Sequence, residues 1–289
     1  MPRTKSNGIE IEYDTFGSPS DPTVLLVMGF TMQMIAWDDR FCRMIAERGF
    51  HVVRFDNRDV GLSSKIDSAP FPNIMAVMGG DLSTVGYRLD DMARDALGLL
   101  DALGIQRAHV VGASMGGMIA QLMALQSARH VRSLTSIMST TGDRSVGQAS
   151  PAAIGALMTP PPTERAAFIE RAVAIASIIG SKSLPTDPEV VRQRAARAYD
   201  RAFFPVGGAR QFAAILAAED RTERLRALDI PTLVMHGTED ELIAPDGGEA
   251  TARAIPGARL AHVEKMGHDF PEPLWPQVVE LITQHAAAR

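Results

Sequence analysis

A serine framed by glycines is the first chemically suggestive feature of the chain: Gly112-Ala113-Ser114-Met115-Gly116-Gly117 directly follows the apolar run Ala108-His109-Val110-Val111. The segment Met115 to Ser127 reads as a helix, so Ser114 stands between a buried strand and a helix N-terminus. This is the G-x-S-x-G spacing of a nucleophile elbow. The serine must occupy a strained turn, so the residues two before and two after it must be nearly free of side chain. That turn lifts the hydroxyl above the sheet and aims the helix's free N–H groups at any oxyanion that develops there.

A serine hydroxyl is a weak nucleophile at neutral pH and needs a base within hydrogen-bond reach. Of the seven histidines, His109 and His262 fall inside strand runs and His51 opens one. His285 is placed in the C-terminal tail, and His130 follows a helix whose end it can cap. All five are read as structural or solvated. His268 differs, because Met266-Gly267-His268-Asp269-Phe270-Pro271 follows the last strand candidate, where a loop turns over the C-terminal edge of the sheet. A carboxylate must then orient the imidazole and stabilise its protonated form. Pro231-Thr232-Leu233-Val234-Met235 feeds His236-Gly237-Thr238-Glu239-Asp240 at the same edge. Asp240 is chosen, with Glu239, Glu241 and Asp143 as competitors that spacing alone does not separate. His236 is read as shaping the turn.

Short β-type runs alternate with helical patterns around these residues. Gly8 to Phe16 alternates as an edge strand or hairpin, and Thr23 to Met28 is continuously apolar, as a strand covered on both faces should be. Further strands are expected at His51–Phe55, Ala108–Val111, Val131–Met138, Pro231–Met235 and Arg259–Val263. Trp37 to Arg48 reads as helical. Leu89, Met92, Ala96, Leu99, Leu100 and Leu103 recur at helical spacing, with Asp90 and Asp91 in the first turn and Gly104 as a stop. Strands separated by helices imply an α/β fold with a doubly wound, mostly parallel sheet. The alternation breaks between Thr140 and Arg226, where Thr163–Ser177, Pro188–Ala202 and Gly208–Glu219 read as helices and no strand is visible. The expected division is a core of 1–139 and 227–289 with a helical cap of 140–226 inserted into it.

Composition bounds the function. The chain has 289 residues, 46% hydrophobic and 22% charged, as in ordinary globular proteins. A formal net charge of −5 gives no basic footprint for nucleic acid. The single cysteine, Cys42, excludes an internal disulfide and a Cys-based zinc site, and is read as a buried thiol. Met1 to Gly17 lacks the apolar core of a signal peptide, and no run approaches the ~18 apolar residues of a spanning helix. A cytoplasmic location, no membrane association, no cofactor and no metal are expected, and a homo-oligomer is left open. Gly79-Gly80 is read as a flexible turn rather than a nucleotide-binding loop.

The order Ser114, Asp240, His268 resembles that of the α/β-hydrolase family. Leu25-Leu26-Val27-Met28-Gly29-Phe30, Phe55-Asp56-Asn57-Arg58-Asp59-Val60-Gly61-Leu62-Ser63, Gly112 to Gly117, His236 to Asp240 and Gly267-His268 resemble its landmarks in order. The Met-Gly-Phe loop and the Asp-Asn-Arg-Asp-Val-Gly run look most like the bacterial branch containing aclacinomycin methylesterase and related lipase/esterases. The resemblance implies an oxyanion hole made by the backbone N–H groups of Phe30 and Met115. It also implies that residues 56–63 form a turn buttressing the site, with Arg58 and Asp59 structural. Many members have His-Gly where this chain has Met28-Gly29. Since the backbone donates the hydrogen bond, the hole should survive that change.

Gly29, Met32 and Met34 are taken as substrate-pocket residues, part of a soft apolar pocket to which Met28, Met115 and Met158 are also assigned; core packing is an equal reading for Met28 and Met158. The expected activity is a serine carboxylesterase acting on small to medium apolar esters through an acyl-enzyme. Perhydrolase or haloperoxidase, enol-lactonase and carbon–carbon bond hydrolase chemistry use the same triad and stay open, as does a non-catalytic receptor that binds a small molecule. Ser114 argues against dehalogenases and epoxide hydrolases, which need aspartate at the elbow.

Overall fold

The computed structural model of the protein describes residues 2–288. Strand β1 (Arg3–Ser6) turns through Asn7 and Gly8, at φ 47° and 79°, into β2 (Ile9–Phe16). Two consecutive left-handed residues are what a two-residue hairpin needs to match strand twist. The chain continues through β3 (Thr23–Val27), α1 (Asp39–Ala46), β4 (His51–Phe55), a short α2 (Ile74–Met78), α3 (Leu89–Ala102), β5 (Ala108–Ala113), α4 (Met115–Gln126) and β6 (Val131–Ile137). Five helices follow without an intervening strand: α5 (Pro151–Met158), α6 (Arg165–Ile179), α7 (Pro188–Arg201), α8 (Pro205–Leu216) and α9 (Thr222–Leu225). The sheet resumes with β7 (Thr232–Gly237), α10 (Pro245–Ala254) and β8 (Arg259–Val263), and the chain ends in α11 (Trp275–Ala287).

The eight strands form one sheet in the order β1-β2-β4-β3-β5-β6-β7-β8. β1–β2 and β2–β4 are antiparallel, and every other pair is parallel. The unbroken apolar runs follow from burial on both faces. Alternate residues of β3 point to opposite cores: Leu25 and Val27 pack with α3 and α4, Val24 and Leu26 with α1 and α11. In β8 the edge position leaves Arg259 and Leu260 exposed. Among the described residues no helix is long and apolar enough to cross a membrane.

The observed helices match the expected ones to within about three residues at each end. Sequence reading left out the helices α2, α5, α9, α10 and α11; in the last of these Trp275, Val278, Val279, Ile282 and Ala286 form one buried stripe. His285 therefore lies on a packed helix rather than in a tail, and it is buried. Cys42 is fully enclosed in the α1 layer, and burial pushes its thiol up to about 12.

Parallel strands put their C-terminal ends along one edge, and the four loops of interest leave from there. They are the turn after β3 at Gly29–Phe30, Ser114 after β5, the 238–244 loop after β7 and the 264–271 loop after β8. The helical segment between β6 and β7 is joined at its neck. The Arg221 N–H donates to Thr141 O at 2.9 Å, its Nη2 donates to Thr140 O at 2.9 Å, and Thr222 Oγ1 donates to Thr141 Oγ1 at 2.9 Å.

Candidate active site

The turn after β5 explains each glycine around Ser114. A methyl on Gly112 would collide with the Gly116 carbonyl, and one on Gly116 with the Val27 carbonyl of the neighbouring strand. A methyl on Gly117 would lie 2.6 Å from Ser139 Cβ. These contacts bring the first turn of α4 down onto the sheet and hold Ser114 at φ 57°, ψ −123°, a conformation that costs a non-glycine residue strain energy. The serine is pinned on both sides: its N–H donates to Ile137 O at 2.9 Å, and Ser139 Oγ donates to its carbonyl at 2.9 Å.

The three residues singled out by order in the sequence meet in space. Ser114 Oγ lies 2.9 Å from His268 Nε2, and His268 Nδ1 lies 2.8 Å from Asp240 Oδ2. With Nδ1–H directed at the carboxylate, Nε2 presents its lone pair to the serine. Asp240 is buried, and its Oδ1 accepts the N–H groups of Leu242 and Ile243, both at 2.9 Å. Burial alone works to raise its carboxyl. The charge of His268 and hydrogen bonds from His236 and His268 outweigh burial and hold it well below the ordinary carboxylate range. Asp240 is thus an anion that also fixes its own loop.

The competitors have other duties. Glu239 receives the N–H groups of Lys182 and Ser183 at 2.7 and 2.9 Å, together with the Ser183 hydroxyl. Glu241 accepts from Ser150 Oγ at 3.2 Å, and Asp143 from the Ser145 N–H at 2.8 Å. His236 is fully buried, with Nε2 2.8 Å from Ile243 O and 3.3 Å from Asp240 Oδ2. It closes the loop that carries the aspartate, in line with the turn-shaping role read from sequence.

Gly29 faces the serine: a Cβ there would sit 3.1 Å from Ser114 Cβ and 3.7 Å from Oγ. The neighbouring Phe30 N–H has no acceptor among the described residues, and Met115 N–H is the first of α4. Residues 56–63 brace this turn from behind. Asn57 Nδ2 donates to Met28 O at 2.9 Å, and Asp56 accepts the N–H groups of Met34 and Leu62, both at 2.8 Å. Arg58 grips Asp95 with two bonds, at 2.6 and 2.7 Å. Met32 is half exposed. Met34 is fully enclosed, so it can touch a ligand only if the wall in front of it moves.

Sequence reasoning missed the contacts made by the helical segment. His268 N–H donates to Ile179 O at 2.7 Å, the last residue of α6. Ser181 Oγ accepts Gly267 N–H at 2.8 Å and donates to Asp269 at 2.6 Å. From α8, Gln211 reaches the Thr31 N–H, and the Phe212 ring packs 5.8 Å from that of Phe30. A glutamine among the apolar residues of α8 was the available signal. Ser181 has no comparable mark. Among the described residues no group of three or more His, Cys, Asp or Glu could hold a metal ion.

A family model for the alpha/beta hydrolase fold matches residues 22–272. Two rhodomycin D methylesterases are similar over nearly the whole length. That of Streptomyces sp. (strain C5) is 27% identical, covering 94% of this chain and 93% of the relative; that of Streptomyces peucetius is 26% identical with the same coverage. The solved structure of the enol-lactonase from Burkholderia xenovorans LB400 superposes with a TM-score of 0.77 at 21% identity, covering 99% of this chain and all of that one. That likeness speaks to the fold. The matched span takes in all four loops that converge on Ser114, and the chain belongs to the alpha/beta hydrolase fold family.

Proposed function

We propose that the protein is a serine carboxylesterase acting on small to medium apolar esters, with Ser114 as nucleophile, His268 as base and Asp240 as the orienting carboxylate. The observation that carries this reading is the unbroken chain Ser114 Oγ–His268 Nε2 and His268 Nδ1–Asp240 Oδ2, at 2.9 and 2.8 Å. The similarity to two methylesterases supports an ester as substrate. His268 takes the hydroxyl proton as Ser114 Oγ bonds to the ester carbonyl carbon, and the carbonyl electron pair moves to oxygen. Phe30 and Met115 N–H groups, neither used elsewhere in the site, receive that oxyanion. Collapse expels the alkoxide, which takes the proton from His268 and leaves as the alcohol. Water, deprotonated by the same histidine, then attacks the acyl carbon. The bond to Ser114 Oγ breaks, the serine oxygen takes the proton back from His268, and the acid is released.

On this reading residues 140–226 are a cap over a core of 1–139 and 227–289, and Gly29 and Met32 contribute to the substrate wall. The neck bonds from Arg221 to Thr140 and Thr141 support that division. Ser114→Ala tests the assignment. Turnover of a short p-nitrophenyl ester should fall by about 10³-fold or more with the circular dichroism spectrum unchanged. A variant retaining a tenth of the parent rate would overturn it.

A further inference from the structure

Gln211 extends from α8 to the back of the turn that follows β3, and it has no exposed surface. Its Oε1 accepts the Thr31 N–H at 2.9 Å, and its Nε2 donates to the Arg58 carbonyl at 3.0 Å. One amide therefore ties the turn to the 56–63 brace. The turn needs such a tie. Thr31 is a β-branched residue at φ 59°, a left-handed conformation it does not adopt unaided. Within the turn, the Met32 N–H reaches Gly29 O at a long 3.3 Å. Phe30, one residue before Thr31, carries the N–H that has no acceptor among the described residues. Its direction is set by how the Gly29–Met32 turn is held.

Two further contacts place α8 against the same turn. A methyl on Gly208 would lie 3.1 Å from Thr31 Cγ2, and the Phe212 ring packs against Phe30. Gln211 is the only side chain of α5–α9 that hydrogen-bonds residues 29–32 among the described residues. We propose that Gln211 is a positioning residue for transition-state stabilisation: from the helical cap it fixes the Phe30 N–H on the oxyanion formed at Ser114. The proposal rests on the esterase reading above. It makes the cap part of the catalytic apparatus as well as the substrate enclosure.

The test separates transition-state from ground-state binding. A trifluoromethyl ketone matching the best ester substrate forms a Ser114 Oγ–carbon bond, sends the carbonyl pair to oxygen and passes the serine proton to His268. The ether isostere of the same ester binds without making an oxyanion. Gln211→Met keeps the length of the side chain and removes both hydrogen bonds. Its kcat, per site titrated, should fall ten- to a hundredfold, and the ketone should bind weaker by a similar factor. The ether should stay within threefold of its parent affinity. Gln211→Asn, which cannot span both partners, carries the same test should the first variant fail to fold. Equal weakening of ketone and ether, or no change in either, overturns the proposal. If the parent itself fails to bind the ketone, or Ser114→Ala remains active, the esterase reading falls instead.

Discussion

Asp240 and Glu239 are adjacent in sequence and serve opposite sides of one loop: Asp240 meets His268, whereas Glu239 gathers the backbone of Lys182 and Ser183. Sequence spacing does not divide them, but geometry does. Asp240→Asn should lower kcat by about 10⁴-fold, because an amide cannot hold the imidazole in its reactive tautomer and stabilise its charge. Glu239→Gln keeps an oxygen for the two N–H groups and should stay within about threefold. Steady-state rates on one ester compare the two, and a reversed ranking would move the carboxylate role to Glu239.

Glycine-to-alanine changes in helices usually stabilise by restricting the unfolded chain, by about 0.5–1 kcal/mol. Gly116 should break that rule, since its new methyl would run into the Val27 carbonyl. Gly116→Ala is expected to lose about 1–3 kcal/mol and most of the activity as the elbow shifts. Gly155 in α5 is exposed with open space around it, so Gly155→Ala should gain stability and keep the parent rate. Urea unfolding of both variants provides the comparison.

His109 offers a pH test away from the site. It is buried beside Ser133 Oγ at 2.8 Å, and burial, then the charges of Arg132, His285 and Arg107, lowers its pKa to about 4. The unfolded chain takes up this proton near pH 6.5 and the folded chain only near pH 4. Stability from this group is therefore complete above pH 6.5 and drains away as pH falls between those values. The loss is at most about tenfold in the folding equilibrium per pH unit. His109→Gln should show a shallower decline over that window in denaturant midpoints; parallel curves would contradict the assignment.

Ser181 is buried, and its hydroxyl serves both Gly267 N–H and Asp269. Ser181→Ala leaves that N–H without its acceptor, a loss of about 1–3 kcal/mol, and frees the loop that carries His268. A lower melting temperature is expected, with kcat reduced about tenfold and the rate of fluorophosphonate labelling at Ser114 reduced in step. Unchanged labelling would limit Ser181 to a structural role.

The site was legible wherever chemistry imposes a local pattern. Gly112 is dictated by the Gly116 carbonyl and Gly116 by the Val27 carbonyl of β3. Both demands fall on fixed positions either side of Ser114 and so show as a short local motif, and β3 and β5 announce themselves by burial on both faces. Asp240 was the carboxylate chosen from the sequence, but spacing did not separate it from Glu239, Glu241 or Asp143, because neighbours such as Glu239 and Asp240 differ only in which way the chain points them. Gln211 and Ser181 stayed hidden since their partners, Thr31 and Gly267, lie 180 and 86 residues away. Pairings over such separations leave no periodicity to read. The stripe of α11 was readable in principle, from Trp275 through Val279 to Ala286.

The bonds between Arg221 and Thr140–Thr141 bring the two chain crossings of the helical segment side by side. Such a neck is a natural splice point: a foreign helical module of any length could be grafted there without stretching the sheet beneath. The graft would keep Ser114, Asp240 and His268 but discard Gln211 and Ser181. Modular exchange in this architecture is therefore not free. A successful donor module must bring its own grips for the Thr31 turn and the Gly267 loop, and swaps chosen only for pocket shape should yield folded proteins with idle triads.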